Sequence, residues 1–159
     1  AMAAVLAFVP ACKKDKKTEH KKVKVQMRGD GASAENLIHA VRTGNYNKVY
    51  DILYTSPELS NATDAEGYTA LHIASSIGNN EIAGLLIDSG ADVNAQTRMS
   101  NYTPIMYASL MGYKKTVQKL IDAGADIQGV NRDGDNALRL AQRRGHEEVA
   151  RLLRNHGAR

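Results

Sequence analysis

Five histidines and one cysteine are the side chains of this 159-residue sequence best suited to metal or nucleophilic chemistry, and their spacing supports neither. A zinc site takes Cys or His in pairs a few residues apart. His20, His39, His72, His146, His156 and Cys12 form no such pair. Cys12 lies ahead of every periodic element, so a catalytic thiol there would have no scaffold to position it. There is no glycine loop ending in Lys-Ser or Lys-Thr to cradle a phosphate, no G-x-S-x-G and no H-E-x-x-H. The carboxylates Asp64, Asp92 and Asp126 stand at turn positions, where bonding to nearby backbone accounts for them. Asn61-Ala62-Thr63 and Asn101-Tyr102-Thr103 match the glycosylation triplet and read as coincidences within tight turns. The sequence therefore offers no catalytic residue, no metal ligand and no cofactor site, and an enzyme has no constellation behind it.

What the sequence does hold is a beat. Gly44, Gly78, Gly112 and Gly145 recur 34, 34 and 33 residues apart. Leu37, Leu71, Ile105 and Leu138 keep the same interval, as do Ala40, Ala74, Ala108 and Ala141. A fixed period with matched residue types predicts a stacked array of short units. Leu71, Ala74 and Ser75 have the spacing of an inner helix, and Ile82, Leu85 and Leu86 that of an outer one. Gly78 falls between them, where the backbone must turn left-handed. Thr69 is placed to cap the inner helix, and Pro104 occupies a first helical turn, where a missing N–H costs nothing. The small alanines let neighbouring inner helices approach closely.

The second unit, Asp64 to Asn94, closely resembles the ankyrin repeat. The family's D-x-x-G-x-T-P-L-H-x-A is met by Asp64, Gly67, Thr69, Leu71, His72 and Ala74, with Ala70 in place of Pro, and its closing G-A-D-V-N runs from Gly90 to Asn94. The third unit carries Thr103-Pro104-Ile105-Met106 and Gly124-Ala125-Asp126-Ile127, and the fourth Ala137-Leu138, Gly145-His146 and Gly157-Ala158. The first is degenerate, with Ser56-Pro57-Glu58 in place of G-A-D. The resemblance covers about four fifths of the chain. It implies an all-α solenoid of four helix-turn-helix units joined by short hairpin loops, at 31–63, 64–96, 97–130 and 131–159, with the outer two as polar caps and the whole a monomer. It also implies that His72 joins a hydrogen-bond network with Thr69. His146 is expected to help cap its own turn. The loop Gln96–Ser100 carries one extra residue and puts Asn101 where Gly67 stands, so this tip is expected to protrude.

In ankyrin proteins partners meet the hairpin tips and the exposed side of the inner helices. Carried onto this sequence, those columns give Arg42 and Thr43, Ser76 and Ile77, Leu110 and Met111, and Arg143 and Arg144. The tips add Glu66, Tyr68, Met99, Tyr102, Arg132 and Asp135. The expected protein-binding site is thus apolar in the middle, with Tyr beside it and Arg at either end. The competing reading leaves Leu110 and Met111 packed against a neighbouring hairpin.

The head of the chain is different in kind. Residues 1–28 hold eight basic and two acidic residues, whereas 29–159 hold 13 and 15, so the net charge of +4 belongs to the head and no nucleic-acid partner is expected for the repeats. Residues 1–12 are apolar up to Cys12, and Val9-Pro10-Ala11-Cys12 resembles the lipobox of bacterial lipoproteins, in which the Cys carries lipid. Leu is more usual than Val9, and Pro10 is uncommon at its position. A plain apolar tail is the alternative. Residues 13–30 form a lysine-rich linker, with seven lysines between Lys13 and Lys24. Beside an anionic bilayer each contributes about 1 kcal/mol. The expectation is a protein exported to a bacterial periplasm or outer membrane, anchored through Cys12 and assisted by Lys13–Lys24. A cytoplasmic protein is the alternative if the apolar segment is no signal. A second functional reading makes the lysine run itself the active element, binding anionic membrane or nucleic acid, with the repeats passive.

Overall fold

The computed structural model describes residues 32–159. The apolar segment, Cys12 and the lysine run lie outside the described residues. Four helical hairpins follow in order: α1 (Ala34–Arg42) with α2 (Tyr46–Thr55), α3 (Ala70–Ile77) with α4 (Asn80–Asp88), α5 (Pro104–Met111) with α6 (Lys114–Asp122), and α7 (Ala137–Arg143) with α8 (Glu147–Asn155). A short 3-10 turn, Pro57–Asn61, stands where the first unit lacks G-A-D. Among the described residues no strand forms, and one isolated bridge joins Thr63 to Thr69. The all-helical, four-unit architecture expected from the sequence is the one observed.

Inner helices α1, α3, α5 and α7 pack in a row, as do outer helices α2, α4, α6 and α8. The inner row is the more closely packed of the two. The alanine column explains this: Ala40, Ala74, Ala108 and Ala141 are buried at the inner contacts. Leu37, Leu71, Ile105 and Leu138 are buried beside them, and Val49, Ile82, Val117 and Val149 continue the core between outer helices. No single hairpin could bury this surface; stacking does so.

Each unit also reaches back to its predecessor. Gly78 and Gly112 are left-handed, at φ 71° and 79°. A methyl group on Gly78 would lie 2.6 Å from the Tyr113 ring, and one on Gly112 2.6 Å from the His146 ring. Tyr113 and His146 hold the N-cap positions of α6 and α8, yet neither side chain caps its helix. The expectation for His146 is corrected accordingly. Its ring crosses to the preceding unit, where Nε2 bonds the Leu110 carbonyl at 3.1 Å. Asn45 and Asn79, in the same column, do cap their helices.

A second ladder runs along the far edge. Asn61 accepts from Asp92 N at 2.7 Å and donates to Gly90 O at 3.0 Å. Asn94 repeats this with Asp126 N and Gly124 O, and Gln128 donates to Gly157 O. The glycosylation-like Asn61 is thereby committed to the joint between units one and two.

The hairpin tips are built alike. Asp64, Thr97 and Asn131 each receive backbone N–H bonds on the side chain, from Tyr68, Tyr102 and Asp135 respectively. In unit three the extra residue widens the turn. Asn101 N bonds Thr97 O four residues back, where Gly67 N bonds Asp64 O three back. Asn101 takes φ 55°, the left-handed value expected of it, and Met99 at the tip is 76% exposed.

The reach-back gives a stability prediction. Gly145 has a similar φ of 74°, but a methyl group there would touch nothing. Gly145→Ala should cost about 1 kcal/mol, the backbone term alone. Gly78→Ala should cost about 1–3 kcal/mol more, because it also overpacks Tyr113. Urea melts of the two variants check this, and adding Tyr113→Ala to Gly78→Ala should narrow the gap.

Candidate functional site

His72 anchors the middle of the inner face. The Thr69 hydroxyl receives the His72 backbone N–H, and the Thr69 N–H donates to His72 Nδ1 at 3.1 Å, closing a capping box. Because Nδ1 accepts, Nε2 is the nitrogen that carries the proton, and it donates to the Tyr102 carbonyl at 3.0 Å. One buried imidazole thus ties the start of α3 to the tip of unit three. Burial pushes its pKa below the ordinary histidine value, against the opposing pull of its backbone bonds and of Asp64 and Asp92. The network occurs once. Met106 fills the equivalent position in unit three, and the buried Thr103 hydroxyl has no partner there.

Three tyrosines gather over this imidazole. Tyr107, on α5, lies 5.8 Å from Tyr68 and 5.1 Å from Tyr102 between ring centroids, and edge-on to His72 at 5.9 Å. The Tyr107 hydroxyl donates to Tyr68 Oη at 3.1 Å. Burial and the bond to Tyr68 push the Tyr107 phenol above the usual tyrosine range, so it stays neutral. Tyr107, Leu110 and Met111 share one face of α5 by helical spacing. Ile77 is 42% exposed and Met111 50%, at matching positions of neighbouring helices. Leu110 is half-buried and packs on the core, as Tyr68 and Tyr102 do.

The remaining expected residues divide. Glu66 is exposed at the tip of unit two, and Ser76, half-buried, turns its hydroxyl back to Ile73 O. Met99 is exposed, though not among the rings. Arg144 is exposed at the end of α7. Arg143 is held at 2.7 Å by Asp135. Asp135 itself is buried and not the exposed tip residue expected, since its backbone N–H and its carboxylate are both engaged. Arg42 pairs with Asp64 of the next unit at 3.3 Å. Cys12 lies outside the described residues.

Tyr107 escaped the sequence reading. It stands three residues before Leu110 and four before Met111, so the helical spacing that picked those two reached it as well. Its column holds Ile73 and Leu140, both buried, in the flanking units. A second aromatic stripe was also missed. Tyr46, Tyr50 and Tyr54 lie exposed along outer helix α2, with Tyr50 and Tyr54 stacked at 6.0 Å.

Nothing near the tyrosines resembles acid–base machinery. A depression lined by Gly112, Lys114, His146 and Glu148 lies at a hairpin end. There His146 is bonded to Leu110 O, and Lys114, at 2.9 Å, holds the Glu148 carboxyl below its usual range. Among the described residues no three His, Cys, Asp or Glu stand close enough to hold a metal, and no helix is long and apolar enough to cross a membrane.

Comparison with known proteins agrees with this architecture. The family model described as ankyrin repeats (3 copies) matches residues 14–97, 37–131 and 96–159. The E3 ubiquitin-protein ligase XBAT33 of Arabidopsis thaliana is 39% identical over 69 residues, 43% of this chain and 14% of its own length. The mouse ankyrin repeat and MYND domain-containing protein 1 is 33% identical over 64 residues, 40% of this chain and 7% of its own. Human neurogenic locus notch homolog protein 2 is 32% identical over 73 residues, 46% of this chain and 3% of its own. The chain thus spans a small fraction of each relative.

His72 sets a pH dependence. With its folded pKa below the unfolded value of about 6.5, the unfolded chain binds more protons as pH falls, so stability is full above that value and declines below it. Thermal melts should show a falling Tm from pH 7.5 to 5.5. His72→Met, copying unit three, should flatten that slope while lowering stability at pH 7.5 by about 1–2 kcal/mol through the lost cap and cross-unit bond.

Proposed function

The chain belongs to the ankyrin-repeat family, and we propose that it is a non-catalytic protein-binding module whose partner lies along Tyr68, Tyr102, Tyr107, Ile77, Leu110 and Met111. The observation that carries this is the tyrosine cluster bridging units two and three, continuous with two exposed apolar side chains on the inner helices. Tyr and Met are enriched at interfaces, and the rings are held rigid before any partner arrives. A rigid, half-buried aromatic platform loses little entropy on binding. Repeat arrays of this family are typically interaction modules, which supports the reading.

The partner is best sought with substitutions that spare the core. Leu110 supports the fold, so Ile77→Ser with Met111→Ser is the cleaner pair. The double variant should keep the wild-type melting curve and lose the partner recovered from native extract by at least tenfold. Tyr50→Ser with Tyr54→Ser, on the outer helix, should retain it. The reverse pattern would move the site to α2.

We further propose that the chain is exported in bacteria and tethered to a periplasmic or outer-membrane surface. Support comes from Val9-Pro10-Ala11-Cys12 and the seven lysines after it. A lipid on Cys12 and the polybasic run beside it would act together in holding the chain to an anionic surface. The lysine run also supports the second reading, in which it binds anionic lipid or nucleic acid directly. Intact-mass spectrometry of protein from its native host should find a chain beginning at a lipid-modified Cys12. An unmodified thiol behind an intact apolar segment would place the protein in the cytoplasm.

A further inference from the structure

The basic residues of the repeats are of one type on the tips and inner helices and mixed on the outer helices, where α8 carries Arg151 and Arg154. On the tips and inner helices they are all arginine: Arg42, Arg98, Arg132, Arg139, Arg143 and Arg144. The lysines of the repeats, Lys48, Lys114, Lys115 and Lys119, lie on outer helices. Arginine's planar fork matches carboxylates, whereas lysine is a hydrated point charge.

Three of these arginines converge on the tip of unit four. Arg132 springs from it and donates from Nη2 to Arg98 O at 3.2 Å, bridging back to tip three. Arg139 reaches it from α7, with Nη1 on Gly134 O at 3.2 Å. Arg143 reaches it to hold Asp135. Arg143 is spent on a buried carboxylate, but Arg132 and Arg139 bond only neutral carbonyls. Among the described residues no carboxylate pairs with Arg98, Arg132, Arg139 or Arg144. The exposed carboxylate of this tip is Asp133. Arg132 and Arg144 thus stand exposed and without an ion-pair partner in unit four, next to the unit that carries Tyr102 and Tyr107.

We infer that the segment bound on the inner face is an extended acidic peptide, with an apolar or aromatic anchor on Tyr68, Tyr102 and Tyr107 and carboxylates over Arg132 and Arg144. This rests on the inner-face reading above and adds the partner's chemistry and its register. Neighbouring helices stand about 10 Å apart, and extended chain covers that in about three residues. The acidic residues therefore lie about three to six positions from the anchor. The repeats as a whole are net acidic, 13 basic against 15 acidic residues from 29 onward, so a general polyanion such as nucleic acid is disfavoured and a short acidic segment fits.

The test uses the full chain and fluorescein-labelled dodecapeptides in which Leu-Phe-Leu is followed, or preceded, by a Glu-rich stretch. Matched peptides carry Gln or Lys in place of Glu. One acidic peptide should bind about tenfold or more tighter than its Gln counterpart, with affinity falling as salt rises. Arg132→Glu with Arg144→Glu should bring it down to the Gln level without lowering Tm, and Arg132→Gln with Arg144→Gln should fall between. Ile77→Ser with Met111→Ser should weaken both peptides alike. A full-length variant with the seven lysines of 13–24 changed to Gln should keep the preference. If that variant loses it, the head is the site and the inference fails. Equal affinity for Glu and Gln peptides, both lost in the Ile77 and Met111 variant, would overturn the acidic partner and leave the face standing. Equal binding of an oligothymidylate, insensitive to Ile77 and Met111, would reduce the two arginines to a general polyanion site. No binding of any peptide would also overturn the acidic inference, while the partner recovery above judges the face separately.

Discussion

The close approach of one hairpin to the next is the constraint on which everything else rests. It is set by side chains that are absent. Ala at 40, 74, 108 and 141 lets the inner helices close up, and Gly at 78 and 112 leaves room for a ring from the following unit. An added methyl at either glycine would meet ring atoms at 2.6 Å, so the gap is already full. The polar joints then follow. Asn61, Asn94 and Gln128 span units because the backbones they bridge have been brought within hydrogen-bonding reach. Cohesion is distributed along the array, and no unit has a core of its own.

A structure held together this way presents function on its surface. The inner helices and tips form one continuous strip, and what distinguishes it is where aromatic and charged groups interrupt the repeat. His72 is central because it joins two units. Its Nδ1 closes the α3 cap and its Nε2 fixes the Tyr102 carbonyl, so the fold's own hydrogen bonding sets the spacing of Tyr68, Tyr102 and Tyr107. The platform is as rigid as the joint beneath it. Disturbing the joint would therefore disturb the spacing of the three rings.

The repeat was legible because its columns report backbone need. Gly78 marks a left-handed turn, Thr69 marks a cap, and Ala74 marks a close contact; each type follows from local geometry of the repeat. Cross-unit contacts were harder to read, because a column names what a residue does for its own hairpin. His146 looked like a local cap and instead crosses to Leu110 O. Asp135 looked like an exposed tip and is buried, because Arg143 comes down from α7 to meet it. Tyr107 sits in a column of core aliphatics, yet its hydroxyl reaches Tyr68 of the preceding unit. In each case the missing information was a partner some 8 to 39 residues away.

Unit three gathers the departures from the pattern. It has the lengthened turn with Asn101 left-handed, Met106 in place of the network histidine, Tyr107 in place of an aliphatic, and Tyr113 in place of a capping Asn. Each costs the unit something local. Thr103 loses a partner for its hydroxyl, and α6 starts without a side-chain cap. Sequences agree with themselves at every level except where a site demands otherwise. Here the disagreements fall on both flanks of the tyrosine platform and beside the arginine tip. Unit four shares two of these departures, with Arg139 in the histidine column and His146 in place of a capping Asn, so unit two is the neighbour that keeps the pattern and supplies the rigidity unit three gives up.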